Sequence, residues 1–125
     1  MKKTISILLI LLVFSTATFA RPIKRITFSK GAIKVSTKAN LSGYKDSQTF
    51  VIRLRKGQKM TLNASRSVSL FITAPNGEDV SDMDLSCHSR QTIENTVAGD
   101  YKIKAVQCGK ADEWKGSFQL NITVK

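Results

Sequence analysis

Between Phe50 and Lys125 apolar side chains recur on every second residue in run after run, the two-residue period of strands that bury one face and solvate the other. In Phe50-Val51-Ile52-Arg53-Leu54-Arg55, the residues Phe50, Ile52 and Leu54 share one face, and Arg53 and Arg55 share the other. After a turn at Lys56-Gly57-Gln58, Met60, Leu62 and Ala64 alternate with Lys59, Thr61 and Asn63, so the two runs are expected to form a hairpin. Ser67 to Ala74 reads as a further strand, closed by Pro75-Asn76-Gly77, where proline presets one turn dihedral and Asn-Gly tolerates positive φ. Tyr101, Ile103 and Ala105 alternate with Lys102 and Lys104 after the Ala98-Gly99 turn. The last run is the clearest, with Phe118, Leu120, Ile122 and Val124 inward and Ser117, Gln119, Asn121 and Thr123 outward.

Earlier in the chain, Arg25 to Ser29 and Ala32 to Ser36 read as a short hairpin around Lys30-Gly31, and Thr37 to Gly43 continues as a strand. Gly77 to Asn95 is the least regular stretch and is expected to be a long surface loop. No window carries a helical period with caps. Seven to nine short strands separated by turn signals predict an all-β chain, a single antiparallel β-sandwich.

The N-terminus breaks this regularity. Lys2 and Lys3 precede ten residues, Ile5 to Phe14, interrupted only by Ser6, and Ala17-Thr18-Phe19-Ala20 ends on a small residue, so residues 1–20 read as a cleavable export signal. The run is shorter than the roughly 20 residues of a bilayer span, and no comparable run succeeds it, so stable membrane insertion after cleavage is not expected. The remaining segment, residues 21–125, has the length of one domain with one core. The destination is periplasmic or secreted. In that oxidising setting the even pair Cys87 and Cys108 is expected to form a disulfide that staples the Gly77 to Asn95 loop to the end of the Tyr101 strand.

Cleavage also sharpens the charge. The full chain carries 20 basic and 9 acidic residues; without Lys2 and Lys3 the balance is 18 to 9, or +9. From Arg21 to Arg66 there are 12 basic residues and one acid, Asp46, whereas from Ser67 onward there are 6 basic residues and 8 acids. Such an imbalance produces a positive field over part of the surface and favours an acidic partner: an anionic envelope polymer, a lipid headgroup or an acidic cleft on another protein. Nucleic acid is not expected, because the chain is exported and offers few aromatics for base stacking.

Candidate chemistry is sparse. His88 is the single histidine, so a Ser-His-Asp arrangement would depend on it, and Cys87 beside it is better placed for a disulfide than as a nucleophile; no enzyme activity is expected. The acidic run Glu78-Asp79-Val80-Ser81-Asp82-Met83-Asp84 lacks the spacing of an EF-hand and reads as a solvated loop rather than a metal site. Nothing calls for a cofactor. Asn40, Asn63 and Asn121 match the Asn-x-Ser/Thr acceptor sequence but fall in expected strands, where chance accounts for them. Trp114, in the turn before the last strand, is either a partner anchor or a cap on the end of the sandwich.

Ser42-Gly43-Tyr44-Lys45-Asp46-Ser47-Gln48-Thr49-Phe50 and Arg55-Lys56-Gly57-Gln58-Lys59 resemble the periplasmic inhibitors of g-type (goose-type) lysozyme. The likeness extends through Phe71 to Gly77, Val80 to Ser86 and Ala98 to Gln107. The Lys-Gly-Gln turn and the later Gly-Asp-Tyr are also similar to bacterial pre-peptidase C-terminal domains, small β-sandwich modules of secreted enzymes. The first resemblance implies a β-sandwich whose loops plug the acidic cleft of a lysozyme, with Tyr44 and the loop before the last strand on the inhibitory face. That loop has Gly109 and Glu113 where the family's arginines are expected, leaving Lys110 and Lys115 as its cations, point charges rather than planar forks. The candidate partner-binding set is therefore Tyr44, Lys110, Trp114 and Lys115, together with Arg53 and Arg55 on the basic strand. The second resemblance implies a module that binds anionic envelope polymer or carbohydrate.

Overall fold

The computed structural model describes residues 21–82 and 87–125; the export signal and the middle of the acidic loop lie outside the described residues. Eight strands are present: β1 (Lys24–Ile26), β2 (Lys34–Ser42), β3 (Ser47–Leu54), β4 (Met60–Ala64), β5 (Val68–Thr73), β6 (Arg90–Ile93), β7 (Gly99–Gln107) and β8 (Lys115–Val124). They form two four-stranded sheets, ordered β1-β3-β7-β5 and β2-β8-β4-β6. Phe50 of the first sheet meets Phe118 of the second edge to face, ring centroids 6.4 Å apart, so the sheets pack as a sandwich.

The alternation seen in the sequence is the alternation of burial. Phe50, Ile52, Leu54, Leu70, Ile72, Tyr101, Ile103 and Ala105 line the inner face of the first sheet; Ala39, Leu41, Met60, Leu62, Phe118, Leu120 and Ile122 line that of the second. Truncating one of the central aromatics, Phe50 or Phe118, removes about 3–5 kcal/mol of packing and transfer free energy.

Among the described strands, successive ones change sheet: β1, β3, β5 and β7 build one, β2, β4, β6 and β8 the other. Neither expected hairpin therefore exists. The Lys56-Gly57-Gln58 turn carries the chain from β3 in the first sheet to β4 in the second, and Lys30-Gly31 likewise separates β1 from β2. Period-two burial is satisfied equally by a hairpin partner and by a strand in the facing sheet, which is why the sequence pattern alone misassigns the pairing. Two further expectations are corrected. The arrangement is not wholly antiparallel, because β1 pairs with β3 in parallel, Lys24 opposite Phe50 and Ile26 opposite Ile52. The Gly77 to Asn95 stretch is not all loop: Arg90–Ile93 adds β6 to the edge of the second sheet by pairing with β4, and Thr73 bridges Asp79.

Cys87 and Cys108 are bonded, with Cα atoms 5.5 Å apart across 21 positions of sequence. The bond joins the segment before β6 to the end of β7, as expected. In the chain-entropy account a loop of this length stabilises by about 3 kcal/mol, through restriction of the unfolded chain.

Candidate functional site

The β2–β3 turn places Tyr44 at one end of the sandwich. Ser42 closes β2, Gly43 takes φ 90°, and Asp46 gathers the turn: Oδ2 accepts from Ser42 N–H (2.8 Å) and Oδ1 from Ser47 N–H (2.9 Å). Arg21 locks that carboxylate from outside at 2.6 Å. Gly43 N–H donates to the carbonyl of Trp114 (3.1 Å), tying the turn to the β7–β8 loop. No larger residue fits here, because a Cβ on Gly43 would lie 2.1 Å from Glu113 Oε1.

The β7–β8 loop, Cys108 to Trp114, is the other half of the site. Gln107 is buried and brackets it: its Oε1 accepts from Trp114 N–H (3.0 Å), and its Nε2 donates to the Trp114 carbonyl. Glu113 Oε1 accepts from Tyr44 N–H (3.2 Å), and the Tyr44 hydroxyl donates to the carbonyl of Ala111. Tyr44 is thus tethered at its backbone N–H and at its hydroxyl while remaining 42% exposed.

Trp114 is half-buried. It packs edge to face on Phe118, with centroids 6.4 Å apart, and the Arg66 guanidinium lies over it at 3.9 Å. The residue is partly buried against the core at the sandwich end, and its indole Nε1 is buried and without a hydrogen-bond partner.

Tyr44, Lys110, Trp114 and Lys115 therefore come together at one end, with Lys110 exposed in the loop and Lys115 opposite Ser42 where β8 begins. Arg53 and Arg55 do not join them. They lie at the far end of β3, where Arg53 pairs in register with Asp100, about 25 Å along the strand from the Tyr44 turn. The sequence predicts one set of six residues; strand length divides it in two.

Residues that sequence reasoning misses are Gln107, Asp46, Glu113 as an acceptor, and Arg66. Gln107 carries a signal: it occupies the inward parity of Tyr101, Ile103 and Ala105, and an amide in a buried position needs partners. Arg66 carries none.

The remaining candidates are inert in structural terms. His88, which follows Cys87 in the chain, is buried, and its carbonyl accepts from Leu70 N–H (2.9 Å). In the acidic loop, hydrogen bonds from the backbone N–H and then the hydroxyl of Ser81 hold the Asp79 carboxyl below the usual range. Among the described residues no group of three or more His, Cys, Asp or Glu is arranged to hold a metal ion.

This architecture, two facing four-stranded sheets between which the described strands alternate in chain order, defines a class of small β-sandwich. Solved structures similar to it include the periplasmic inhibitor of g-type lysozyme PliG from Aeromonas hydrophila, at TM-score 0.68 and 17% identity over 82% of this chain and 96% of that one. An Escherichia coli PliG mutant matches at TM-score 0.62 and 21% identity, over 82% and 97% of the two chains. The pre-peptidase C-terminal domain of a Bacillus anthracis collagenase matches more weakly, at TM-score 0.55 and 12% identity over 85% and 99%. Both resemblances drawn from the sequence thus recur among the structural neighbours. No protein-family model matches the sequence, and no curated protein matches it in sequence.

Proposed function

We propose that the chain is an exported, periplasmic, non-enzymatic binding protein that inhibits a g-type lysozyme by presenting its Tyr44 end to the acidic cleft. The observation that carries this reading is the state of Tyr44: exposed, yet held by Glu113 and Ala111 from the facing loop. A preordered aromatic flanked by Lys110 and Lys115 loses little conformational entropy on docking, and its cations complement carboxylates in the cleft. The structural likeness to PliG proteins over most of the chain supports the same partner class. Loop insertion is the mechanism: the Tyr44 turn and the Cys108–Trp114 loop enter together because Gly43, Gln107 and Glu113 bind them into one unit.

The test is a titration of residues 21–125 against g-type lysozyme, with c-type and i-type enzymes as controls. Stoichiometric loss of g-type hydrolysis is expected, with Tyr44→Ala weakening inhibition at least about tenfold, as for an interface anchor. Full hydrolysis at equimolar protein would overturn the reading.

A further inference from the structure

Arg66 lies in the β4–β5 connection, which belongs to the same end of the sandwich as Tyr44. Cys108 N–H, at the base of the β7–β8 loop, donates to the carbonyl of Ser67 (3.0 Å), and Ser65 N–H donates to the carbonyl of Gln119 (2.9 Å). β8 runs between β2 and β4. The chain therefore leaves β2 toward Tyr44 and β4 toward Arg66 about 10 Å apart, on either side of the strand that Trp114 precedes.

This arginine is unlike the others. Arg21 and Arg25 are engaged within the chain, by Asp46 and Asp100. Among the described residues Arg53, Arg55 and Arg90 have neither a carboxylate nor a ring as partner, and Arg66 alone is seated on an aromatic, 3.9 Å from the Trp114 centroid. Trp114 rests on Phe118 and Phe118 on Phe50, each edge to face at 6.4 Å, so the guanidinium is the outermost member of a series of rings that begins in the core. Gly116 leaves the space it occupies, since a Cβ there would lie 3.1 Å from Arg66 Nη1. Yet Arg66 is exposed, and its side chain makes one long hydrogen bond, 3.4 Å from Nη1 to the carbonyl of Ser117. Of the five N–H donors of a guanidinium, four are unclaimed among the described residues.

We propose that Arg66 is a specificity-determining residue of the Tyr44 end, receiving a carboxylate of the partner's cleft in a bidentate pair while Trp114 supports its plane; this rests on the reading of that end as the inhibitory surface. A guanidinium stacked on a ring keeps its edge donors free, and their fork matches the two oxygens of a carboxylate. Restraint by the stack lowers the ordering cost of binding. Lys110 and Lys115 carry point charges, which attract an acidic cleft without selecting the geometry of one carboxylate in it. The fork thus comes from the β4–β5 connection rather than from the β7–β8 loop that carries the lysines.

The experiment measures binding of residues 21–125 to g-type lysozyme by calorimetry, with the carboxylates of the lysozyme cleft replaced one at a time by their amides. Arg66→Gln should weaken binding at least about 30-fold, the loss of an interface anchor. Arg66→Lys keeps the charge and should still lose about tenfold, because the fork is gone. Lys34→Gln removes the same charge at the far end of β2 and should bind within about twofold of the parent. Against one amide variant of the lysozyme, Arg66→Gln should cause little further loss, a coupling that a merely structural role of Arg66 would not produce. Melting curves and unshifted Gly43 and Tyr44 amide resonances are expected in each Arg66 variant. Parent-like binding by Arg66→Gln, equal losses in Arg66→Gln and Lys34→Gln, full affinity in Arg66→Lys, or additive losses with every amide variant would each overturn the assignment while leaving the lysozyme reading intact. Absence of binding by the parent would overturn that reading and the assignment with it.

Discussion

At one end of the sandwich Tyr44 stands over a loop containing Lys110, Asp112 and Glu113, with Lys115 where β8 begins, a surface of mixed charge; at the other end Lys30, Arg53, Arg55 and Lys125 line a cleft whose lining has no Asp or Glu. The turns at the two ends are made alike. Each is clamped by polar groups from a distant segment: Gln107 and Glu113 hold the Tyr44 end, while Thr96 accepts from Gln58 N–H (2.9 Å) and donates to the Arg55 carbonyl (2.6 Å) at the other. Rigidity is thus common to both, and what separates them is the balance of charge on a similar frame. A surface of balanced charge must recognise by shape, and one of a single sign attracts by field and is weakened by salt.

The largest effect on that contrast is expected from the disulfide. Cys87→Ser/Cys108→Ser should lower stability by about 3 kcal/mol in denaturant titrations. Amide exchange should quicken first in Cys108 to Trp114 and the Tyr44 turn, since the bond sits at the base of that loop. Equal acceleration at Gly57 and Thr96 would show that the two ends are coupled.

A smaller difference separates two glycines. Gly43→Ala meets Glu113 Oε1 and forces a positive φ, so roughly 2–3 kcal/mol is expected. Gly57→Ala has the same backbone demand, φ 79°, but nothing within 4 Å of the new methyl, and should cost about 1 kcal/mol. Adding Glu113→Ala to Gly43→Ala should recover part of the loss in a double-mutant cycle; strict additivity would refute the steric account.

Tyr44→Phe removes one hydrogen bond, to Ala111, at about 1 kcal/mol by thermal melting. The smallest effect is on the outer face of the first sheet. Hydrogen bonds from Arg25 hold the Asp100 carboxyl below its usual range. A depressed folded pKa means that the contribution is present above the unfolded value, about 4, and is lost as pH falls through the folded one. The melting temperature of Asp100→Asn should therefore converge on that of the parent as pH drops below about 4. A constant gap from pH 7 to pH 2 would count against the pair.

Legibility in the sequence has the same physical divide. Alternation at Phe118 to Val124 and at Phe50 to Leu54 identifies the inward residues correctly, because burial depends on parity alone. It does not identify partners: β3 and β4 read as a hairpin and lie in opposite sheets, and Arg90–Ile93 is too short a run to stand out from its loop. Of the site, Tyr44 and the β7–β8 loop are readable through their resemblance to known inhibitors. Their joining through Gln107 is visible only as an amide in an inward position. Arg53 and Arg55 are legible as cations, but not as residues a strand's length away from Tyr44.

The sequence by itself determined the inward parity of the regular strands, most of the turns, and that positive charge is concentrated before Ser67, and it made a Cys87–Cys108 disulfide the expectation. These are properties of neighbouring residues and of composition. Only the tertiary structure decided that consecutive strands alternate between sheets, that Glu113 fills the space Gly43 leaves, and that Arg25, Arg53, Lys102 and Lys104 share one face. Those relations join residues as many as 77 positions apart, Arg25 to Lys102, and they arise from pairing register and the packing of two sheets, which no local period encodes.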